Sequence, residues 1–421
     1  MGKKYTVKEP FDFSVPPKKP NLFWNCLVRA AASFQRISAG GKITKINYKG
    51  LKPPYLILGN HGSMMDFPML LKGTSPHPVN WVVALDGFVG RQLVSYNIGM
   101  ICKRKFTNEL YTAKHILKML TKEKSIVAIY PEARWSICGV NERLDKALGK
   151  LVKTAGCPVV TFIENGNFLY APQWDVKHKR KIKITATMTQ IVTREEAATL
   201  SAEEIQRRIE EKFVFDQYKW QNENKIKIDS PFRANNLHKV LYRCPHCNTD
   251  FSTDSKGIEI WCDSCGKRWE MDEYGKLRCK NGETVFDFAS DWYRWERQCV
   301  RDEVRSGNYR FEDDARAELI HSAKYGFVNK GKVKLTHGYD GFTLEGVIDG
   351  KPVKYNRPPS TTYSCHIEYD FEGRGDCVEF CAPKDTFYVF PLSAKNAVTK
   401  IHLATEEIYD LVTEGRNKKA P

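Results

Sequence analysis

Tyr55-Leu56-Ile57-Leu58-Gly59-Asn60-His61-Gly62-Ser63-Met64-Met65-Asp66 runs from an apolar, strand-like segment straight into a histidine and, five residues on, an aspartate. Histidine is the side chain poised to take a proton near neutral pH, and a nearby carboxylate can fix its tautomer and hold the charge that develops. Residues five apart on an ideal helix lie roughly 140° apart around the axis. His61 and Asp66 therefore meet only if His61 lies in the turn before a helix and Asp66 in its first turn. Ser63 suits the N-cap of such a helix, and Pro68 is tolerated early in it. Ser63-x-x-Asp66 also reads as a capping box, which would explain the aspartate structurally and leave His61 unexplained.

Outward from this stretch, the sequence alternates strand and helix. Trp81–Leu85 reads as a strand, residues 108–122 as a helix with Leu110, Ala113, Leu117 and Leu120 on one stripe, and Ile126–Tyr130 as a fully apolar strand. A helix over 145–155, strands over 158–163 and 177–187, and a polar helix from Ser201 to Lys219 follow, the last opened by Ser201-x-x-Glu204. The pattern predicts an α/β domain with a largely parallel sheet over residues 1–220.

Three further segments follow in order: Gly99-Met100-Ile101-Cys102-Lys103-Arg104-Lys105, Tyr130-Pro131-Glu132-Ala133-Arg134-Trp135-Ser136 and Ala155-Gly156-Cys157-Pro158-Val159-Val160. Together with His61-x4-Asp66 they resemble, in order and spacing, the four blocks of the glycerolipid acyltransferases, the family that includes 1-acylglycerol-3-phosphate acyltransferase. The resemblance covers residues 20–215 and includes Lys146, at the family's basic position ahead of the fourth block. Two blocks depart from the pattern. Lys105 stands where the second block has an arginine, with Arg104 one residue early. In the third, Ala133 replaces a glycine, Arg134 comes one residue early and Trp135 takes the arginine's place.

The resemblance implies transfer of an acyl group from acyl-CoA or acyl-carrier protein to the hydroxyl of a lysophosphatidic-acid-like acceptor. His61 would act as general base, and Asp66 would orient it. The N-terminus of the following helix would offer N–H groups to the thioester oxyanion. Arg104 and Lys105 would hold the acceptor's phosphate, with Arg134 and Lys146 nearby. Glu132 is a substrate-site residue in this reading, or a structural one that holds the turn after Pro131. Trp135 packs on an acyl chain or fills the core, the core being the reading we favour. Ser63 lacks a Gly-x-Ser-x-Gly elbow and does not read as a nucleophile.

Cys244-Pro245-His246-Cys247 and Cys262-Asp263-Ser264-Cys265 are separated by fourteen residues. Two such knuckles aim four thiolates at one ion, the pattern of a structural Zn²⁺ ribbon over 240–280. His246 and Cys279 are spare ligand candidates. Residues 222–235 read as a linker, and 284–325 as a helical connector with helices over 286–305 and 312–323. From 330 to 415 short strands alternate, with the hairpin signal Ile348-Asp349-Gly350-Lys351, before a helix over 397–412. Six or so strands and a closing helix resemble a pleckstrin-homology-like barrel.

The net charge is +16, and residues 1–60 hold eleven Lys and Arg against Glu9 and Asp12. Such a field attracts nucleic acid or an anionic membrane. Leu22, Phe23, Cys26, Leu27, Ala30, Ala31 and Phe34 follow helical spacing, either as an interfacial helix or as one packed on the core. No apolar run approaches the ~20 residues of a membrane span, and the first residues do not read as a signal peptide. A cytoplasmic enzyme, peripheral on the inner face of a membrane, is the expectation. The alternative is a zinc-ribbon binding or scaffold protein with a degenerate acyltransferase core. Lys267, Arg268 and Trp269 of the ribbon are interspersed with Glu259, Asp263, Glu270 and Asp272, so nucleic acid is not the expected partner.

Overall fold

The computed structural model describes residues 11–107, 109–320, 326–348, 350–381 and 385–417. Its first part alternates helices and strands: α1 (Leu22–Ala39), β1 (Gly40–Ile46), β2 (Leu56–Gly59), α2 (Asp66–Gly73), β3 (Val79–Ala84), α3 (Gln92–Asn97), β4 (Ile101–Lys103), α4 (Leu110–Thr121) and β5 (Ile126–Ile129). Then come α5 (Leu148–Ala155), β6 (Val159–Asn165), α6 (Asn167–Tyr170), β7 (Ile184–Val192), α7 (Arg194–Thr199), α8 (Ala202–Lys212) and α9 (Gln217–Glu223). The strands form one sheet in the order β1-β7-β6-β2-β5-β3-β4. β6, β2, β5, β3 and β4 are parallel, while β7 runs antiparallel to β6 and β1 runs parallel to β7.

β2 is apolar throughout because both faces are covered. Ile57 packs on one side with Met69 and Leu70 of α2, and Leu56 and Leu58 pack on the other with Ile116, Leu120 and Val152. Gly59 therefore delivers Asn60 and His61 to the C-terminal edge of a parallel sheet, the edge where α/β folds place their sites.

Several boundaries differ from the sequence reading. The expected start of α4 at Asn108 lies outside the described residues. β7 begins at Ile184, beyond the lysines of 177–183. The polar helix over 201–219 breaks into α8 and α9 because Phe213 turns into the core and Asp216 accepts from the amide of Lys219 to cap α9. The expected linker is packed: Ile228 and Ala234 are buried, and their amides donate to the carbonyls of Glu273 and Gly257.

β8 (Thr253–Lys256), β9 (Glu259–Cys262), β10 (Arg268–Met271) and β11 (Leu277–Cys279) make an antiparallel four-stranded sheet, followed by α10 (Ala289–Arg305). A second helix does not follow. Residues 312–320 lie in β12 (Phe311–Ile320), and 321–323 fall outside the described residues. The alanines and glutamates suit a helix, yet Asp313, Ala315, Ala317 and Leu319 point inward with the period of a strand. Sheet context overrides propensity there. β13 (Phe327–Gly338), β14 (Gly341–Ile348), β15 (Lys351–Arg357), β16 (His366–Glu368), β17 (Cys377–Cys381) and β18 (Thr386–Pro391) complete a seven-stranded antiparallel sheet before α11 (Val398–Asn417). Its order, β15-β14-β13-β12-β18-β17-β16, is a meander whose first strand pairs with its last. Asp349, part of the expected hairpin signal, lies outside the described residues.

One buried cluster joins these parts. Phe168 and Trp174 of the α/β unit, Trp269 of the small sheet, Trp292 of α10, Leu335 of β13 and Ile401 of α11 belong to it. α1 packs through Asn25, Ala32 and Ala39, and its apolar stripe faces outward: Leu22 is 77% exposed, Phe23 70%, Phe34 76% and Ile37 73%. Among the described residues no helix is long and apolar enough to cross a membrane.

Candidate active site

The turn between β2 and α2 brings His61 and Asp66 together. His61 Nδ1 lies 2.6 Å from Asp66 Oδ2, with the carboxylate buried and the imidazole 26% exposed. Asp66 Oδ2 also accepts from the amide of Gly62 at 2.7 Å, and Oδ1 accepts from Asn167 Nδ2 at 3.0 Å. A carboxylate so held keeps the proton on Nδ1 and leaves Nε2 as the basic nitrogen. The ring stacks on Tyr130, with centroids 4.3 Å apart, and meets the edge of Trp135 at 5.9 Å. Gly59 permits this approach, because a Cβ there would lie 2.7 Å from Tyr130 Cε1.

Helix α2 starts at Asp66, two residues later than a Ser63 cap implies. Met65 is the N-cap, and Ser63 Oγ accepts from the Met65 amide at 3.2 Å. The amides of Gly62, Ser63, Met65 and Asp66 are all engaged within the turn. Those four amides are held by the carboxylate that orients His61 and by their own turn.

Glu132 is fully buried and ties two loops together. Its Oε2 accepts from the His61 amide at 3.2 Å and its Oε1 from the Glu142 amide at 2.8 Å. Burial pushes its pKa up to about 8. It occupies the structural place rather than a substrate-facing one. Asn60 clasps the neighbouring strand, accepting from the Glu164 amide at 2.7 Å and donating to the Glu164 carbonyl at 2.9 Å.

The cations expected around an acceptor phosphate are placed elsewhere. Arg134 has a buried side chain that donates to Cys365 O at 2.9 Å and Ser364 Oγ at 2.5 Å, and pairs with Glu406 at 3.0 Å. Lys105 lies 2.8 Å from Asp86 and 3.3 Å from Glu379 of β17. Arg104 pairs with Glu109 at 2.6 Å and covers the ring of Phe13. The strand-to-helix loop after β4 is held by the C-terminal sheet: Arg357 donates to Phe106 O at 3.1 Å, and Phe106 meets Tyr363 edge-on at 5.5 Å. A guanidinium already satisfied by a buried carboxylate and two further acceptors has little left to offer a phosphate. Lys146 is exposed in the turn just before α5.

Cys244, Cys247, Cys262 and Cys265 place their sulfurs within 4.8 Å of one another. The Cys244–Cys265 and Cys247–Cys262 separations are both 3.7 Å. Four thiolates about 2.3 Å from a tetrahedral Zn²⁺ lie about 3.8 Å apart, so this donor set fits that ion. His246 and Cys279 stand outside the cluster. Glu142, His402 and Glu406 form a second close group, but Arg134 and Arg297 already balance its charge.

Tyr130, Glu164 and Asn167 were not singled out in the sequence as neighbours of the dyad. The available signal was topological: Tyr130 directly follows β5 and Asn167 opens α6 just after β6, the two strands that flank β2.

The class the fold defines is an α/β domain with a mostly parallel sheet, and a carboxylate-held histidine lies at the C-terminal edge of that sheet. The comparison with family models narrows that class: residues 40–163 match the Acyltransferase family. This segment is an acyltransferase domain, as its resemblance to the glycerolipid acyltransferases implied. Among solved structures the chain is similar to the crystal structure of the 1-acyl-sn-glycerophosphate (LPA) acyltransferase, PlsC, from Thermotoga maritima. That match has 16% identity, covers 45% of this chain and 76% of that one, and has a TM-score of 0.36. A comparison with curated proteins returned no match.

Proposed function

We propose that this protein is a peripheral-membrane O-acyltransferase that moves an acyl group from a thioester, acyl-CoA or acyl-carrier protein, to the hydroxyl of a lysoglycerolipid. The observation that carries the reading is the 2.6 Å contact between His61 Nδ1 and Asp66 Oδ2 inside the acyltransferase domain. The acceptor hydroxyl gives its proton to His61 Nε2 as its oxygen attacks the thioester carbonyl. The C–O bond forms, the C–S bond breaks, and the proton returns to the departing thiolate. Asp66 holds the ring and the charge it acquires. General-base assistance of this kind accounts for about 10²–10⁴-fold in rate.

A lysophosphatidic-acid-like acceptor is the family's implication, and the ion pairs of Arg104, Lys105 and Arg134 weigh against those three as its phosphate clamp. Aromatic rings, Tyr130 and Trp135, border His61 instead. The outward apolar stripe of α1, among the basic residues of the N-terminal segment, supports docking on an anionic membrane. Zn²⁺ at the four cysteines would be structural, clamping the small sheet that shares its core with α10 and the C-terminal sheet.

The test is an acyl-transfer assay on vesicles. Both donor types are paired with lysophosphatidic acid, zwitterionic lysophospholipids and monoacylglycerol, and the products are identified by mass. Transfer to a lysoglycerolipid supports the reading. Absence of transfer from either donor to all of these acceptors overturns it in favour of a binding or scaffold role.

A further inference from the structure

We propose that Asn167 is a positioning residue, its side-chain amide locking the Asp66 carboxylate so that Oδ2 faces His61. The proposal rests on the reading of His61 as the base and Asp66 as its orienting acid. Asn167 Nδ2 donates to Asp66 Oδ1 at 3.0 Å, and both residues are fully buried. Without that donor, Oδ1 keeps the Ser63 amide at 3.3 Å, Oδ2 retains Gly62, Ser63 and His61, and the Glu164 carboxyl still lies against the same carboxylate. The carboxylate would then lose its shortest contact on Oδ1, the one that opposes rotation away from the ring.

Two observations indicate that the bond is built for. The Oδ1 of Asn167 is buried with no hydrogen-bond partner among the described residues. An amide turned the other way would set oxygen against oxygen, so this side chain leaves one polar atom unsatisfied to keep its donor on Asp66. Gly62 makes the approach possible, because a Cβ there would lie 2.6 Å from Asn167 Nδ2 and 2.7 Å from the amide nitrogen of Phe168. Glu164 and Tyr130 face the same carboxylate. Burial, with the charge of Asp66, pushes the Glu164 carboxyl and the Tyr130 hydroxyl well above their ordinary values, which disfavours a second negative charge beside the dyad.

The test uses the full chain with Asn167→Leu, which removes the donor at similar volume, and Asn167→Ser, which keeps a shorter one. Proton–nitrogen NMR of the His61 ring reports the Nδ1–H signal and the ring's titration without any need for turnover, while kcat and KM are read in the vesicle assay. In Asn167→Leu the Nδ1–H signal should move and the titration midpoint shift. Its kcat should fall about 10- to 100-fold, with KM changed by less than about twofold. Asn167→Ser should recover part of both. Unchanged His61 signals and titration in folded Asn167→Leu would overturn the proposal; should that variant not fold, the same result in Asn167→Ala, which also lacks the donor, would. If the wild-type protein transfers no acyl group, the catalytic reading fails, and the NMR result still decides whether Asn167 orients Asp66.

Discussion

Arg134→Met removes a guanidinium that connects the acyltransferase domain to the C-terminal sheet and α11. The gross attraction to Glu406 at 3.0 Å is about 5.5 kcal/mol at an effective dielectric of about 20. Desolvation of both ions offsets much of this, and breaking such a buried pair costs about 3–5 kcal/mol because the surviving charge is left uncompensated. Glu406 keeps Arg297 at 2.7 Å, so the lower end, about 3 kcal/mol, applies. A cooperative unit of about 150–250 residues loses about 2–4 °C of Tm per kcal/mol, which gives a fall of about 6–12 °C. Calorimetry on the intact chain reads that shift, and acceptor titration at low temperature reads KM in the folded protein. The reasoning is refuted if Tm stays within about 1 °C of wild type while KM for a phosphorylated acceptor rises tenfold or more. That outcome would return Arg134 to the acceptor's phosphate.

Metal analysis should find one zinc ion per chain at the Cys244, Cys247, Cys262 and Cys265 cluster, and Cys262→Ser should lose it together with protection of the ribbon amides from hydrogen exchange. A zinc-free chain with an unchanged exchange pattern would count against a structural metal. On α1, Phe23→Glu with Phe34→Glu should weaken binding to anionic vesicles by about 100-fold or more, since each ring contributes about 1.5–3 kcal/mol when buried in lipid. Tm should hardly move, because both rings are exposed. The buried His337, stacked on Phe342 and 2.9 Å from the Tyr309 hydroxyl, has its pKa pushed down to about 3. It is neutral in the fold and takes up a proton on unfolding below its ordinary value. Its contribution to stability is therefore lost as pH falls from about 6.5 toward about 3, at up to about 1.4 kcal/mol per pH unit. His337→Gln should flatten that part of the pH dependence in urea titrations.

The strands and helices of the α/β unit were legible because Leu56–Leu58 and Ile126–Ile129 are continuous apolar runs and α4 carries a clear stripe. The cysteine spacing was equally direct. What escaped were features decided by long-range contacts. Glu312–Ile320 has the composition of a helix, and only its pairing with β13 and β18 makes it a strand. Residues 222–235 looked solvated because few of them are apolar, yet Ile228 and Ala234 suffice to pack them on the ribbon. Arg134 shows the same limit at the site. Its place one residue from the family's arginine left open which way it would point, and its partners lie some 230 to 270 residues away in sequence. The roles of Asn167 and Tyr130 likewise depend on sheet order, since β2 lies between β5 and β6.

The central claim is that His61 is the base of an acyl transfer. Wild-type protein and His61→Ala should be compared on vesicles with a radiolabelled acyl thioester and the best acceptor from the screen, after both are shown to fold and to carry zinc. The account predicts that the variant loses about 10²–10⁴-fold in kcat while Tm stays close to wild type. Full transfer by folded His61→Ala would contradict it.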